Sequence, residues 1–269
     1  MKGKETEYVL KNIFLYPVKS MAGTTLYEAE ADVIGLRGDR RFMLIDENNR
    51  FISSRTYPLL TLIKPTVDNE CIRFSYQGQD FVFPYHHEWK TFEAQIWDDT
   101  ASVYVTHDSI NEWISNLLQV KLRLVVLASE NARLHTSASL PEPIPVSLAD
   151  GYPYQILGTA SIEKLARMYG DDINPMRFRP NLLVSTSIPH EEDTWKTIKI
   201  GNAIFEKVKD CGRCQVINID PETAAIDNNI TKKLATYRKF ANQILFGSLW
   251  KIKQTGIVHV GDSIEVITE

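Results

Sequence analysis

Residues 177–214 read Arg177-Phe-Arg-Pro-Asn-Leu-Leu-Val184, a polar interruption, Lys196-Thr-Ile-Lys-Ile-Gly-Asn-Ala-Ile-Phe-Glu-Lys-Val-Lys209, and then Asp210-Cys-Gly-Arg-Cys214. Leu182 to Val184, Ala203 to Val208 and Val216 to Ile219 are short apolar runs of strand type. Two arginines therefore stand directly against one strand, and two thiols flank a glycine turn after another. Cations and soft metal ligands at strand ends can be held rigidly by the backbone. That pattern suits an anionic cofactor carrying a thiophilic metal.

The remaining apolar runs set the fold class. In the first half they are short: Tyr8 to Tyr16, Thr24 to Tyr27, Phe42 to Ile45, Leu59 to Ile63, Ile72 to Tyr76, Phe81 to Phe83, Val103 to Val105 and Leu122 to Leu127. Asp46-Glu-Asn-Asn49 between two such runs predicts a hairpin. Ser109-Ile-Asn-Glu112 has the form of a capping box, and a helix there buries Ile110, Trp113, Ile114 and Leu117. Prolines at 141, 143, 145 and 153 mark an extended connector rather than an element interior. Beyond them the pattern predicts a helix over 161–169 stopped by Gly170, and a second over 231–246 with Leu234, Tyr237, Ala241, Ile244 and Leu245 on one face and Gly247 after it. Residues 257–260 and 264–267 read as a closing hairpin. The expected architecture is mainly β with a few helices (α+β), as two domains, 1–125 and 126–269.

Composition excludes several function classes. The chain has 269 residues, net charge −4 and 24% charged residues, so it presents no polyanion-binding surplus of charge and no nucleic-acid partner is expected. No apolar run spans a bilayer, and the opening Met-Lys-Gly-Lys-Glu-Thr-Glu-Tyr is not a signal peptide. Three cysteines do not make a disulfide framework, which points to a reducing, cytoplasmic location without membrane attachment.

Cys211-Gly-Arg-Cys214 admits four readings. A structural zinc needs two further ligands, but Cys71 is isolated and adjacent His86 and His87 point to opposite strand faces. A redox dithiol wants its first cysteine at a helix N-terminus, whereas a strand is expected to follow here. Two semi-buried cysteines at a hairpin need no function. The fourth reading is one thiolate on a metal already held by an organic cofactor, with Gly212 allowing close backbone approach and Arg213 favouring the thiolate. The cations Lys19, Arg37, Arg40, Arg41, Arg55, Arg177 and Arg179 at strand ends, with Asn181, support that last reading, although surface ion pairing is the ordinary role of any one of them.

Six segments in order, Tyr16-Pro-Val-Lys-Ser20, Gly38-Asp-Arg-Arg-Phe42, Ser54-Arg55, Asp150-Gly-Tyr-Pro153, Arg177-Phe-Arg-Pro-Asn181 and Cys211-Gly-Arg-Cys214, resemble the MOSC proteins, named for the molybdenum cofactor sulfurase C-terminal domain. The branch they resemble is that of the mitochondrial amidoxime reducing component and its bacterial counterparts. The resemblance implies a β-rich N-terminal domain and a MOSC β-barrel with a molybdenum–molybdopterin cofactor between them. It implies Cys214 as the metal ligand, with Cys211 as second choice. It also implies cofactor contacts from Lys19, Ser20, Arg40, Arg55, Arg177, Arg179, Asn181, Gly212 and Arg213. Where the mitochondrial proteins carry Thr-Ser this chain has Gly151-Tyr152, so only backbone contact is expected there. No membrane anchor is expected before Tyr8, and no ferredoxin domain after Glu269.

The implied activity is reduction of N-hydroxylated small molecules such as hydroxylamines, N-hydroxylated bases and amidoximes. The rival is a carrier of molybdenum cofactor or sulfane sulfur, and a third reading is a metal-free dithiol. With no G-x-G-x-x-G fingerprint and no cysteine after Cys214, electrons must come from a separate flavin or ferredoxin-type reductase.

Overall fold

A computed structural model describes residues 8–85, 90–128 and 133–267; the residues before Tyr8 and the His86–His87 pair lie outside them. Seven strands close a barrel in the order Tyr154–Gly158, Leu182–Val184, Tyr8–Leu15, Ser263–Ile267, Thr197–Ile200, Ala203–Gly212 and Gln243–Gln254, with the last paired back to the first. Only Tyr154–Gly158 and Leu182–Val184 run parallel. A parallel pair needs a crossover, and the helix Thr159–Tyr169 lies in that connection, ended as expected by Gly170 in the left-handed region (φ 96°). The barrel interior holds Leu10, Tyr154, Ile156, Ile198, Phe205 and Trp250, all fully buried.

The other unit is a four-stranded antiparallel sheet, Phe42–Ile45, Arg123–Leu127, Asp99–Val105 and Phe92–Ile96, beside a three-stranded sheet over 64–84. The helix Asp108–Leu118 buries Ile110 and Ile114 against Leu44, Leu60, Phe74 and Leu124, while Trp113 and Leu117 pack at the edge of that core. The first described strand is a barrel strand, so the described chain begins in one unit, builds the other and returns. The loop leaving that strand, 16–20, is thereby fixed at the junction. There Lys19 N donates to Phe42 O and Arg40 N to Tyr16 O.

Several expectations are corrected. The second helix covers only Asn229–Arg238; Lys239–Phe240 and Gln243–Gln254 form a hairpin turning at Ala241 (φ 50°). Short apolar clusters fit both periodicities, and the pairing of 243–254 with Ala203–Gly212 decides for strand. Val216 to Ile219 is not a strand but the 3-10 turn Gln215–Asn218, and Leu59 to Ile63 falls in the 3-10 turn Pro58–Leu62, opened by a proline that lacks the ladder N–H. Arg177 likewise sits on a 3-10 turn, Pro175–Phe178, rather than against a strand. Residues 256–259 and 263–267 are not a hairpin: the first pairs with Glu28–Asp32, the second with the strands Tyr8–Leu15 and Thr197–Ile200. Within the proline connector Ile144–Val146 pairs with Arg133–His135. The helix cap at 107–109 is His107, whose Nδ1 accepts from Ser109 N, so the capping box is not used.

Gly247, expected as a helix stop, sits in the long strand with φ 72°, where a register shift occurs opposite Asp210 and Gly212. A methyl there lies 2.8 Å from Ile156 O and 3.3 Å from Arg213 Nη2. Gly78 has φ 75° but open space around it. Gly78→Ala is expected to cost about 1–2 kcal/mol from backbone strain alone. Gly247→Ala adds a clash with a carbonyl that cannot move, so its loss in urea unfolding should exceed that of Gly78→Ala by at least about 1 kcal/mol. Equal losses would show that the strand absorbs the methyl.

Candidate functional site

A cavity of about 420 Å³ lies where the 16–20 loop, the 38–42 segment and the barrel end meet. It is lined by Lys19, Ser20, Arg40, Arg55, Arg177, Arg179, Asn181, Cys211, Gly212, Arg213 and Cys214, residues far apart in sequence that the fold brings together. Arg37 and Arg41 are not among them; Arg37 is an exposed partner of Glu30. Counting Lys209, seven cations face two carboxylates, Asp150 and Asp210, in a chain whose net charge is −4.

The cations are held differently. Tyr16 is buried with two guanidinium groups against its ring, Arg40 at 4.5 Å and Arg179 at 4.3 Å from the ring centre. Arg40 Nη1 binds the buried Asp39 at 2.5 Å and Asn181 Oδ1 at 3.1 Å, and Nη2 binds Arg179 O. Burial would lower the Arg40 pKa, but Asp39 outweighs it and the net direction is up. Arg179 donates to Met21 O at 2.7 Å; burial, then the neighbouring Arg40, push it below its ordinary value to about 10, still charged at neutral pH. Ser20, Arg40, Trp97 and Arg179 all have positive φ (71°, 47°, 54° and 55°), and all four line the cavity. Such backbone is uncommon outside glycine and persists where the surroundings over-determine it.

Other members are committed to the framework. Asn181 is 1% exposed, and its Oδ1 accepts from Arg40 and Gln155 N while Nδ2 donates to Phe14 O. Arg177 is clamped by Asp220 and Ile217 O. Arg213 bonds Phe246 O, Phe178 O and Gln155 Oε1, which leaves its buried Nη2 without a partner.

The thiols differ sharply. Cys211 is buried and its pKa is raised by that burial, whereas Cys214 is exposed to the cavity. The glycine turn is corrected: Cys211 and Gly212 end the strand Ala203–Gly212, and a methyl on Gly212 meets only the flexible amide of Gln243 at 3.3 Å. Among the described residues no three His, Cys, Asp or Glu side chains converge as a metal cage. One exposed thiol, a surplus of cations and an orphaned guanidinium nitrogen fit an anionic cofactor with a thiophilic metal.

Sequence reasoning passed over Phe51, Trp97, His135, Gln155 and Lys209, which also line the cavity. Trp97 and His135 lie on hairpins with no motif of their own; the adjacency exists only in the fold. Lys19 is buried and bonds Leu148 O and Asp150 Oδ1 (2.5 Å). The surrounding protein would by itself raise the Asp150 carboxyl, but its side chain is 70% exposed and Lys19, Trp97 Nε1 and Arg55 together hold it below the usual range. A depressed carboxyl contributes stability that is present above its unfolded value near 3.9 and is lost as pH falls through the folded value. Asp150→Asn should therefore lower the thermal midpoint at pH 7, with the gap to wild type narrowing below about pH 4. A gap that does not vary with pH would mean the Lys19 pair contributes nothing.

Residues 7–121 match the MOSC N-terminal beta barrel domain and residues 143–265 match the MOSC domain. Over 280 residues the chain is 27% identical to mitochondrial amidoxime reducing component 2 of Bos taurus, covering 95% of this chain and 82% of that protein. It is 28% identical over 276 residues to the molybdenum cofactor sulfurase of Arabidopsis thaliana, across 93% of this chain and 34% of the sulfurase. The crystal structure of the YUAD protein from Bacillus subtilis aligns over 96% of this chain and 94% of its own at 11% identity, with a TM-score of 0.45. With the two models matching in sequence over nearly its whole length, the chain belongs to the MOSC-domain proteins.

Proposed function

We propose that this protein is a molybdenum-cofactor-dependent reductase of N-hydroxylated compounds. The observation that carries the reading is the exposed Cys214 thiol opening on a cavity lined by seven cations. The relatives named for amidoxime reduction and for molybdenum cofactor sulfuration support it. In this reading Cys214 holds the metal, and Arg40, Arg179, Arg213, Lys19 and Arg55 hold the anionic parts of the pterin. Arg177 and Asn181 act from behind by fixing the backbone. When bound, the cofactor would supply the two electrons that reduce the N–O bond; the protein binds, orients and limits access. The second reading, a carrier of cofactor or sulfur without turnover, draws on the sulfurase relative.

The test is elemental analysis for molybdenum with fluorescence of the oxidised pterin, followed by turnover of benzamidoxime with reduced viologen. A loaded protein that turns over supports the reductase; a loaded protein that does not supports the carrier; a metal-free protein leaves the dithiol. NADH or NADPH alone should give no turnover until a flavin or ferredoxin-type reductase is added. Brisk oxidation of NADH by this chain alone would mean that it carries a redox site of its own.

A further inference from the structure

On the strand Arg133–His135 alternate residues share a face, so Leu134 is exposed while Arg133 and His135 point together at Asp99, the first residue of the strand Asp99–Val105. Asp99 Oδ2 is bound by Arg133 Nη1, and His135 Nδ1 lies 3.1 Å from the same oxygen. Arg133 is itself buried and also bonds Ala149 O. With Nδ1–H donating to the Asp99 carboxylate, Nε2 is turned to the other side of the ring. That side is the cavity: His135 and Gly151 both line it, and a methyl on Gly151 would stand 2.9 Å from Nε2. Nε2 has no hydrogen-bond partner among the described residues, and Tyr152 meets the ring edge-on at 5.3 Å. Gly151, where the resemblance led us to expect only backbone contact, thus makes room for an imidazole.

We propose that His135, oriented by Asp99, is a proton donor of this cavity and delivers its Nε2 proton to the oxygen that leaves when the N–O bond is cleaved. This role rests on the reductase reading. The balance is R–NH–OH plus two electrons and two protons giving R–NH2 and water. The electrons come from a separate low-potential donor. As the N–O bond breaks, one proton passes from the imidazolium to the leaving hydroxyl, which becomes water, and solvent supplies the second to nitrogen. The neutral imidazole is recharged from solvent. The groups that set its charge are Asp99 and Arg133 behind it, Tyr152 at its edge with Lys209 over that ring, and Asp150, paired with Lys19, beside Gly151.

The experiment uses the loaded protein with reduced viologen and benzamidoxime. In His135→Gln, kcat should fall about 10²- to 10⁴-fold, with KM within about threefold and molybdenum content unchanged. The pH profile of kcat should differ from that of wild type. Gly151→Ala, which keeps the histidine but displaces its ring, should lower kcat in the same direction. In oxidised, donor-free wild type, the His135 ¹³Cε1 resonance should shift when benzamidoxime is added; this readout does not depend on any variant folding. Wild-type kcat and pH profile in His135→Gln, or a His135 resonance unmoved by saturating benzamidoxime in protein that reduces it, overturns the proton-donor role and leaves the reductase standing. A loaded wild type that reduces nothing overturns the reductase reading and this role with it.

Discussion

Cys214→Ser is expected to abolish reductase activity and change the metal's absorption, while Cys211→Ser keeps substantial activity. The two thiols stand three residues apart but in opposite environments. Cys214 follows the barrel strand, caps the 3-10 turn Gln215–Asn218 and faces the cavity. Cys211 is 7% exposed, its Sγ is 3.9 Å from Gln155 Oε1, and burial disfavours the thiolate that a metal needs. A serine at 211 retains a donor beside Gln155, so its cost to stability should stay near 1 kcal/mol. Activity assays and metal spectra on both variants decide the matter. The reverse pattern would assign the ligand to Cys211, and two fully active variants would remove the metal from the thiol pair altogether.

Arg179→Ala should lower cofactor occupancy strongly with the fold intact. Its guanidinium packs on Tyr16 and is anchored to Met21 O, so it is presented to the cavity in one orientation. Loss of a charged hydrogen bond to an anionic group costs about 1.5–3 kcal/mol, which is about 10- to 100-fold in affinity. Pterin fluorescence and molybdenum per chain report the loss. Arg40→Ala should act in the same direction but cost more stability, because it also leaves Asp39 buried without its ion pair. Full occupancy in Arg179→Ala would make this arginine a structural residue that only supports Tyr16.

Much of the site could be read from the chain. Residue types at Lys19, Arg40, Arg55, Arg179 and Cys214 are a local property, and the mainly β class follows from short apolar runs. The strand Tyr8–Leu15 and the helix ending at Gly170 were equally legible, since local periodicity and a glycine cap set them. Other features depended on partners distant in sequence. The stretch 239–254 has apolar residues that serve a helix or a strand equally; pairing with Ala203–Gly212 made it a strand. The last two strands looked like neighbours, yet each hydrogen-bonds to the N-terminal third of the chain. Within the site, burial separates Cys214 from Cys211, and ion pairing together with burial separates Arg177 from Arg179. His135 was invisible because its meaning lies in Asp99, 36 residues away, and in the missing side chain of Gly151. The sequence by itself determined which chemical groups were available and which segments were strand-like. The tertiary structure decided which of those groups are desolvated, paired or left facing the cavity, because burial and electrostatic partnership belong to contacts between segments and not to any segment alone.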